Sequence, residues 1–223
     1  MQARTLDFYF DYLSPYAYFS WRKLADFCKE HKLTLNPQPV VFGKLLDHWG
    51  QLGPAEIPPK REWLAKYCNR YAALHGFEMN PPKFHPFNSL TALRMSLLEV
   101  SGDQQPQVVS AIFEAGWTQG KDLGDKNELI SILNKQGLNG LAMYEKTQEV
   151  TIKSILKNNT QKAIEQGVFG VPTMITGGQL FWGNDQFEHM KLYVSGNDPL
   201  DVEKVAESLK NKRAIDRKAH QSM

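Results

Sequence analysis

Apolar and polar positions change their period twice along the 223-residue chain. Residues 5–10, TLDFYF, join β-branched and aromatic side chains, and Phe8, Tyr9 and Phe10 are apolar on both faces. That predicts a central strand covered on both sides. Ser14-Pro15 follows at once, a preferred N-cap and then the residue favoured at the first helical position. Leu24, Phe27 and Cys28 carry a helical stripe to about His31. A second strand is expected at 34–42, where Pro37 and Pro39 restrict it to a sheet edge or to its second half.

Two proline-rich passages, Gly53 to Lys60 and Pro81 to Pro86, read as loops. Around them the spacing is helical: Trp63, Tyr67, Tyr71 and Leu74 recur at three and four residues. Leu90, Leu93, Leu97 and Leu98 do so again, followed by Val109, Ile112 and Phe113, and by Leu129, Ile130 and Leu133. The last third returns to β character. Gly170 to Ile175 reads as a strand entered through Pro172, Gly177-Gly178 as a hairpin turn, and Leu180-Phe181-Trp182 as the return strand. A helix is expected to start at Gly183-Asn184-Asp185 and run to about Ser195, with a charged amphipathic helix at 199–219. The order β-α-β, helical block, β-β-α predicts an α/β protein with a thioredoxin-like core and a large all-helical insertion. Residues 1–43 and 167–223 form the expected core domain, and residues 44–166 the inserted one.

Composition narrows the function classes. Apolar residues make up 42% and charged residues 22%, which argues against disorder. A net charge of +2 is too small for a nucleic-acid footprint. No apolar run approaches the ~20 residues of a membrane span. The opening MQARTLDFYFDYLSPY carries charges and a proline where a signal peptide has its apolar run. A soluble cytoplasmic protein is expected, without nucleic-acid or membrane partners. Cys28 and Cys68 make no C-x-x-C and have no zinc-ligand spacing. Each reads most simply as a small buried hydrophobe, so neither a disulfide framework nor a metal site is expected.

Three places could carry chemistry. Ser14 sits where a strand gives way to a helix, so its hydroxyl and the first free backbone N–H groups share one small volume that favours an anion. Taken alone, Ser-Pro is equally a plain helix start. At Val171-Pro172 a cis bond would leave the Val171 backbone unpaired by the sheet, open to an extended peptide docking like a short strand. The alternative is a trans edge-strand proline. Trp182-Gly183-Asn184-Asp185 offers N–H groups for a carboxylate and one carboxylate for an ammonium, or else an ordinary Asn-Asp helix cap.

The order of these three, together with the runs DFYFDYLSPYAY, PAEIPPKREW, HPFNSLTALR and VFGVPTMITGGQLFWGND, resembles the 2-hydroxychromene-2-carboxylate isomerases. These group with the kappa-class glutathione transferases in the DsbA-like branch of the thioredoxin superfamily. The likeness runs from about Thr5 to Val194, with Ser in place of the redox Cys before Pro. Where the family usually has Arg after the W-G-N-D motif, this chain has Gln186.

What the resemblance implies is glutathione as cofactor, a small aromatic electrophile as substrate, and a homodimer. Ser14 has no G-x-S-x-G context and no evident His base, so its hydroxyl is cast as a donor that holds a glutathione thiolate. Such a donor at a helix N-terminus lowers a thiol pKa from near ~8.5 toward neutrality. By the same resemblance Val171 pairs with the cysteinyl backbone. Trp182, Gly183, Asn184 and Asp185 bind at the γ-glutamyl end, and Lys60 meets the glycyl carboxylate. Lys60 is otherwise a solvated loop lysine. Lys44, Asn88 and Arg94 fall in the substrate region, although a surface helix arginine is an equal reading of Arg94. His85, before Pro86, reads as structural. A kappa-type transferase and a non-catalytic glutathione- or peptide-binding module remain the other two readings. A dithiol oxidoreductase fits poorly, because Cys28 lies 14 residues past Ser14, ~21 Å along a continuous helix.

Overall fold

The structure is a computed structural model that describes residues 4–211. It divides into two compact units, one ending at Gln186 and the other beginning at Phe187. In the first, strand β1 (Arg4–Phe10) leads into helix α1 (Pro15–Glu30) and strand β2 (Leu33–Pro39). Helices α2 (Phe42–Trp49), α3 (Pro58–His75), α4 (Leu90–Met95), α5 (Leu98–Ser101), α6 (Gln105–Trp117), α7 (Lys126–Lys135), α8 (Gly140–Lys146) and α9 (Val150–Glu165) follow. Strands β3 (Thr173–Thr176) and β4 (Gln179–Trp182) complete the sheet. Its order is β2-β1-β3-β4, with β1 parallel to β2 and every other pair antiparallel. This is the thioredoxin-like arrangement expected from the order of elements, with the long helical run between β2 and β3.

β1 is central, and Phe8, Tyr9 and Phe10 are buried on both faces of the sheet. Phe8 stacks on Phe10 at 5.3 Å between centroids, and Phe10 meets Tyr12 edge-on at 5.4 Å. Phe113 of α6 closes on both Phe10 and Tyr12, at 5.5 and 4.6 Å. Each such fully buried ring contributes about 1.5–3 kcal/mol. The helical block is therefore clamped to the very end of the strand that leads to Ser14. β3 and β4 join through Gly177 and Gly178, both at positive φ (55° and 82°), the two-residue turn that matches strand twist.

β2 is an edge strand, as its prolines require, but it stops at Pro39 rather than reaching Phe42. The Val41 N–H donates to Thr160 Oγ1 (3.0 Å) and the Phe42 N–H to Asp11 Oδ2 (3.0 Å). These side chains take the ladder groups, and the chain turns into α2. The leucine-rich stretch at 90–98 is likewise broken, with α4 and α5 separated at Ser96-Leu97.

The second unit holds α10 (Phe187–Val194) and α11 (Val202–Ser208). The Asp201 carboxylate caps α11 by accepting from the Lys204 N–H at 2.9 Å. Of the amphipathic helix expected at 199–219, only Val202–Ser208 is helical among the described residues, and its part from 212 lies outside them. Among the described residues no helix is long and apolar enough to cross a membrane.

Candidate active site

The four residues between β1 and α1 are tied down from several directions. Asp11 accepts the Ser14 N–H on its carbonyl (3.1 Å) and the Leu13 N–H on Oδ1 (3.1 Å). Its Oδ2 takes the N–H of Phe42, the first residue of α2. The Trp117 indole donates to the Tyr12 carbonyl (3.0 Å), and the His85 ring nitrogen Nε2 lies 2.8 Å from the Leu13 carbonyl. The loop that presents Ser14 is thus fixed before anything binds, which removes an ordering cost from recognition.

Ser14 is buried and caps α1: its Oγ accepts from the Ala17 N–H at 3.2 Å. The hydroxyl hydrogen goes to the Val171 carbonyl, also at 3.2 Å. The Val171–Pro172 bond is cis, as is His85–Pro86, and Ser14 faces Val171 directly. One expectation needs correcting: the Val171 carbonyl, read as free for an incoming peptide, is partnered by Ser14 here.

Ser14 and Val171 open onto a cavity of about 370 Å³. That is within the ~300–1,000 Å³ range of small-molecule sites. Lys60 and Trp182 line it too, with Tyr16, His85 and the apolar side chains of Phe42, Leu46 and Leu64. The Trp182 indole lies across Gly170, where an added Cβ would stand 2.7 Å from Nε1, and packs on Phe169 at 5.0 Å. Of the residues expected at the site, Ser14, Lys60, Val171 and Trp182 therefore share one cavity.

The W-G-N-D turn begins beside it. Gly183 stands at φ 114° and donates its N–H to the Pro172 carbonyl at 3.0 Å. Asn184 is buried, with its amide 3.4 Å from the Tyr67 hydroxyl and its carbonyl accepting from Lys23 Nζ at 3.0 Å. Asp185 is exposed and accepts from the Gln186 amide at 3.3 Å. A helix was expected to start at Gly183, but residues 184–186 form a turn and the helix begins at Phe187. The Gly183 conformation and its tie to Pro172 bend the chain first, so its N–H is not one of a first helical turn.

Three expected substrate residues lie outside the cavity wall. Lys44 pairs with Asp47 at 2.9 Å on the exposed face of α2. Asn88 is exposed and its Oδ1 accepts the Leu90 N–H at 3.1 Å. Arg94 is half-buried; its Nε is buried without a hydrogen-bond partner, and burial lowers its pKa.

The electrostatics add residues that the sequence did not single out. Burial holds the Asp11 carboxyl well above its ordinary value, at about 6, despite hydrogen bonds from Phe42, Leu13 and Ser89. Burial also raises the Tyr16 phenol, with the charge of Asp185 acting in the same direction, so Tyr16 remains a neutral donor on the cavity wall. His85 is pushed below its usual range by burial, with the nearby Arg61 charge adding to the shift. A carbonyl only accepts, so the bond to Leu13 fixes the hydrogen on Nε2 and leaves the lone pair on Nδ1. His85 was read as structural, and it does hold the loop, but it also lines the cavity. Its only sequence signal was the His-Pro dipeptide. The thiols of Cys28 and Cys68 are free and buried, pushed up to about 11 and about 12.

The model of the DSBA-like thioredoxin domain matches residues 5–195. A 2-hydroxychromene-2-carboxylate isomerase of Pseudomonas putida is 30% identical over 188 residues, covering 81% of this chain and 89% of that protein. Glutathione S-transferase kappa 1 of Rattus norvegicus is 23% identical over 199 residues, covering 83% and 88%. Among solved structures, a 2-hydroxychromene-2-carboxylate isomerase superposes with a TM-score of 0.79 at 24% identity, covering 93% of this chain and all of that one.

Proposed function

Since this chain belongs to the DSBA-like thioredoxin domain family, we propose that it is a glutathione-dependent isomerase of 2-hydroxychromene-2-carboxylate-type aromatic conjugated acids. The observation that carries the reading is Ser14. A serine stands at the head of α1, its hydroxyl 3.2 Å from the Val171 carbonyl, on the wall of a 370 Å³ cavity. Both of the chain's own thiols lie away from that cavity wall.

The residues fit the tripeptide. Val171 offers backbone to the cysteinyl residue, Lys60 a cation to the glycyl carboxylate, and Trp182 to Asp185 a turn with a buried amide and an exposed carboxylate for the γ-glutamyl end. When bound, glutathione supplies a thiolate that adds to a conjugated carbon, lets the former double bond rotate, and leaves by elimination. Ser14 has one hydrogen to give, and it is now on the Val171 carbonyl. A peptide N–H that takes that carbonyl releases the hydroxyl to donate to an anion at the α1 N-terminus. Tyr16, held as a phenol, is a second donor on the same wall. Phe42, Leu46 and Leu64 keep water from an aromatic substrate.

The likeness to the kappa transferase, and Lys60 in the cavity, favour a second reading in which the same site serves another electrophile. The family reading also carries a homodimer acting in the cytoplasm. Ultraviolet spectra of the chromene carboxylate, followed with purified protein with and without glutathione, test the proposal. Glutathione-dependent interconversion is expected. A rate unchanged by glutathione refutes it, and conjugation of a chloronitroarene without interconversion favours the transferase.

A further inference from the structure

A second cavity of about 220 Å³ backs onto the first. Pro15, Ala55, Leu64 and His85 line both, so the two spaces are neighbours. The second space is apolar in its body, with Met79 and Trp117, and carries Arg61 and Lys83. No acidic side chain is among the described residues that line it. Arg61 and Lys83 are both exposed, and Lys83 Nζ lies 5.5 Å from the centroid of the Phe84 ring. Two cations and no acid in the lining of an apolar hollow favour an aromatic ligand that ends in an anion.

We propose that this second cavity seats the acid end of the electrophile whose reacting carbon lies at Ser14, with Arg61 and Lys83 as the specificity residues. The proposal rests on the enzymatic reading above and deepens it, because it selects elongated aromatic carboxylates over neutral arenes of the same shape. The Arg61 charge acts on His85, which lines both spaces, in keeping with this placement.

The test needs no turnover, and the acid preference is read without glutathione, so its failure and the failure of the isomerase reading are separate results. Full-length protein is titrated calorimetrically with 2-naphthoate and with 2-naphthamide, its neutral isostere. The acid is expected to bind about fivefold to tenfold more tightly, the scale set by two partly exposed ion pairs. R61Q/K83Q should erase that preference while leaving naphthamide and glutathione affinities as they were. K60Q, in the first cavity, should preserve it. A65F, which fills the second cavity from the exposed face of α3, should weaken both naphthyl ligands and leave glutathione unaffected. The proposal is overturned if the acid does not bind, or if wild type shows no preference for it. It is also overturned if the preference survives R61Q/K83Q, or if K60Q alone removes it, which would put the acid in the first cavity.

Discussion

Asp11→Asn tests whether a buried charge really lies behind the Ser14 loop. Asp11 is fully buried, and its carboxyl titrates at about 6 in the folded protein against 3.8 ordinarily, chiefly because burial penalises the ion. Between those values the folded protein holds a proton that the unfolded chain has lost. Stability from this group is therefore complete below 3.8 and falls as pH rises, until the folded carboxyl is ionised above about 6. The gap corresponds to about 3 kcal/mol, of which about 2 kcal/mol lies between about pH 4.5 and about pH 8. Asparagine removes the charge but keeps only one acceptor, whereas Oδ1 and Oδ2 now serve Leu13 and Phe42. One buried N–H would face an amide NH₂, at a cost of about 1–3 kcal/mol. At about pH 8 the lost charge and the lost bond should nearly offset, leaving the variant close to wild type. At about pH 4.5 the protonated carboxyl keeps both acceptors, and wild type should be the more stable by about 2 kcal/mol. Urea unfolding of both proteins at the two pH values measures the difference, and groups common to both cancel. A wild-type-minus-variant difference that does not change with pH would refute the buried-charge argument.

Ser14→Ala loses an N-cap bond, about 1 kcal/mol of stability, but an oriented donor to an anion, roughly 2.7–4 kcal/mol in rate. Turnover should fall about 10²–10³-fold with a small shift in melting, and full turnover on every electrophile used by wild type would reduce Ser14 to a cap. Gly183→Ala puts a Cβ 2.6 Å from Asp185 Oδ1 at φ 114°. It should lose more than about 1 kcal/mol in thermal unfolding, and the double variant with Asp185→Ala should recover only the contact part; full recovery would rule out backbone strain. Because Asp185 is exposed, Asp185→Ala should weaken glutathione only about threefold to fivefold, and cysteinylglycine not at all. Equal losses for both ligands by calorimetry would remove the γ-glutamyl assignment.

The parts that were legible in the sequence are those written locally. TLDFYF is apolar on both faces and is the central strand; Ser14-Pro15 caps a helix; Gly177-Gly178 turns a hairpin. The misread parts depend on partners far along the chain. Val40-Val41-Phe42 has strand chemistry, but Thr160 and Asp11 claim the backbone of Val41 and Phe42. Asp11 itself looks like a polar strand end until Phe42 is brought beside it. Lys44, Asn88 and Arg94 were placed by resemblance, and a likeness in sequence does not say which face of a helix meets a cavity. His85 was weighed as a dipeptide, and its place on the walls of two cavities, against Trp117 of α6, is not written locally.

These observations combine into one constraint on the chemistry. The head of α1 offers a buried hydroxyl and helix N–H groups in a fixed loop, an environment that favours an anion over its conjugate acid. The two thiols of the chain are in the opposite environment. With burial holding Cys28 at about 11 and Cys68 at about 12, roughly one thiol in ten thousand or fewer is ionised at pH 7. Cys68 lines the second cavity and not the one that Ser14 lines. If the proposed reading holds, the thiolate at this corner arrives on glutathione, because neither thiol of the chain lines the Ser14 cavity. Ser14 adds a second requirement, since a hydroxyl in that place can neither be alkylated as readily as a thiolate nor enter a disulfide. On the proposed reading the sulfur of glutathione either leaves unchanged, which is isomerisation, or leaves with the substrate, which is transfer.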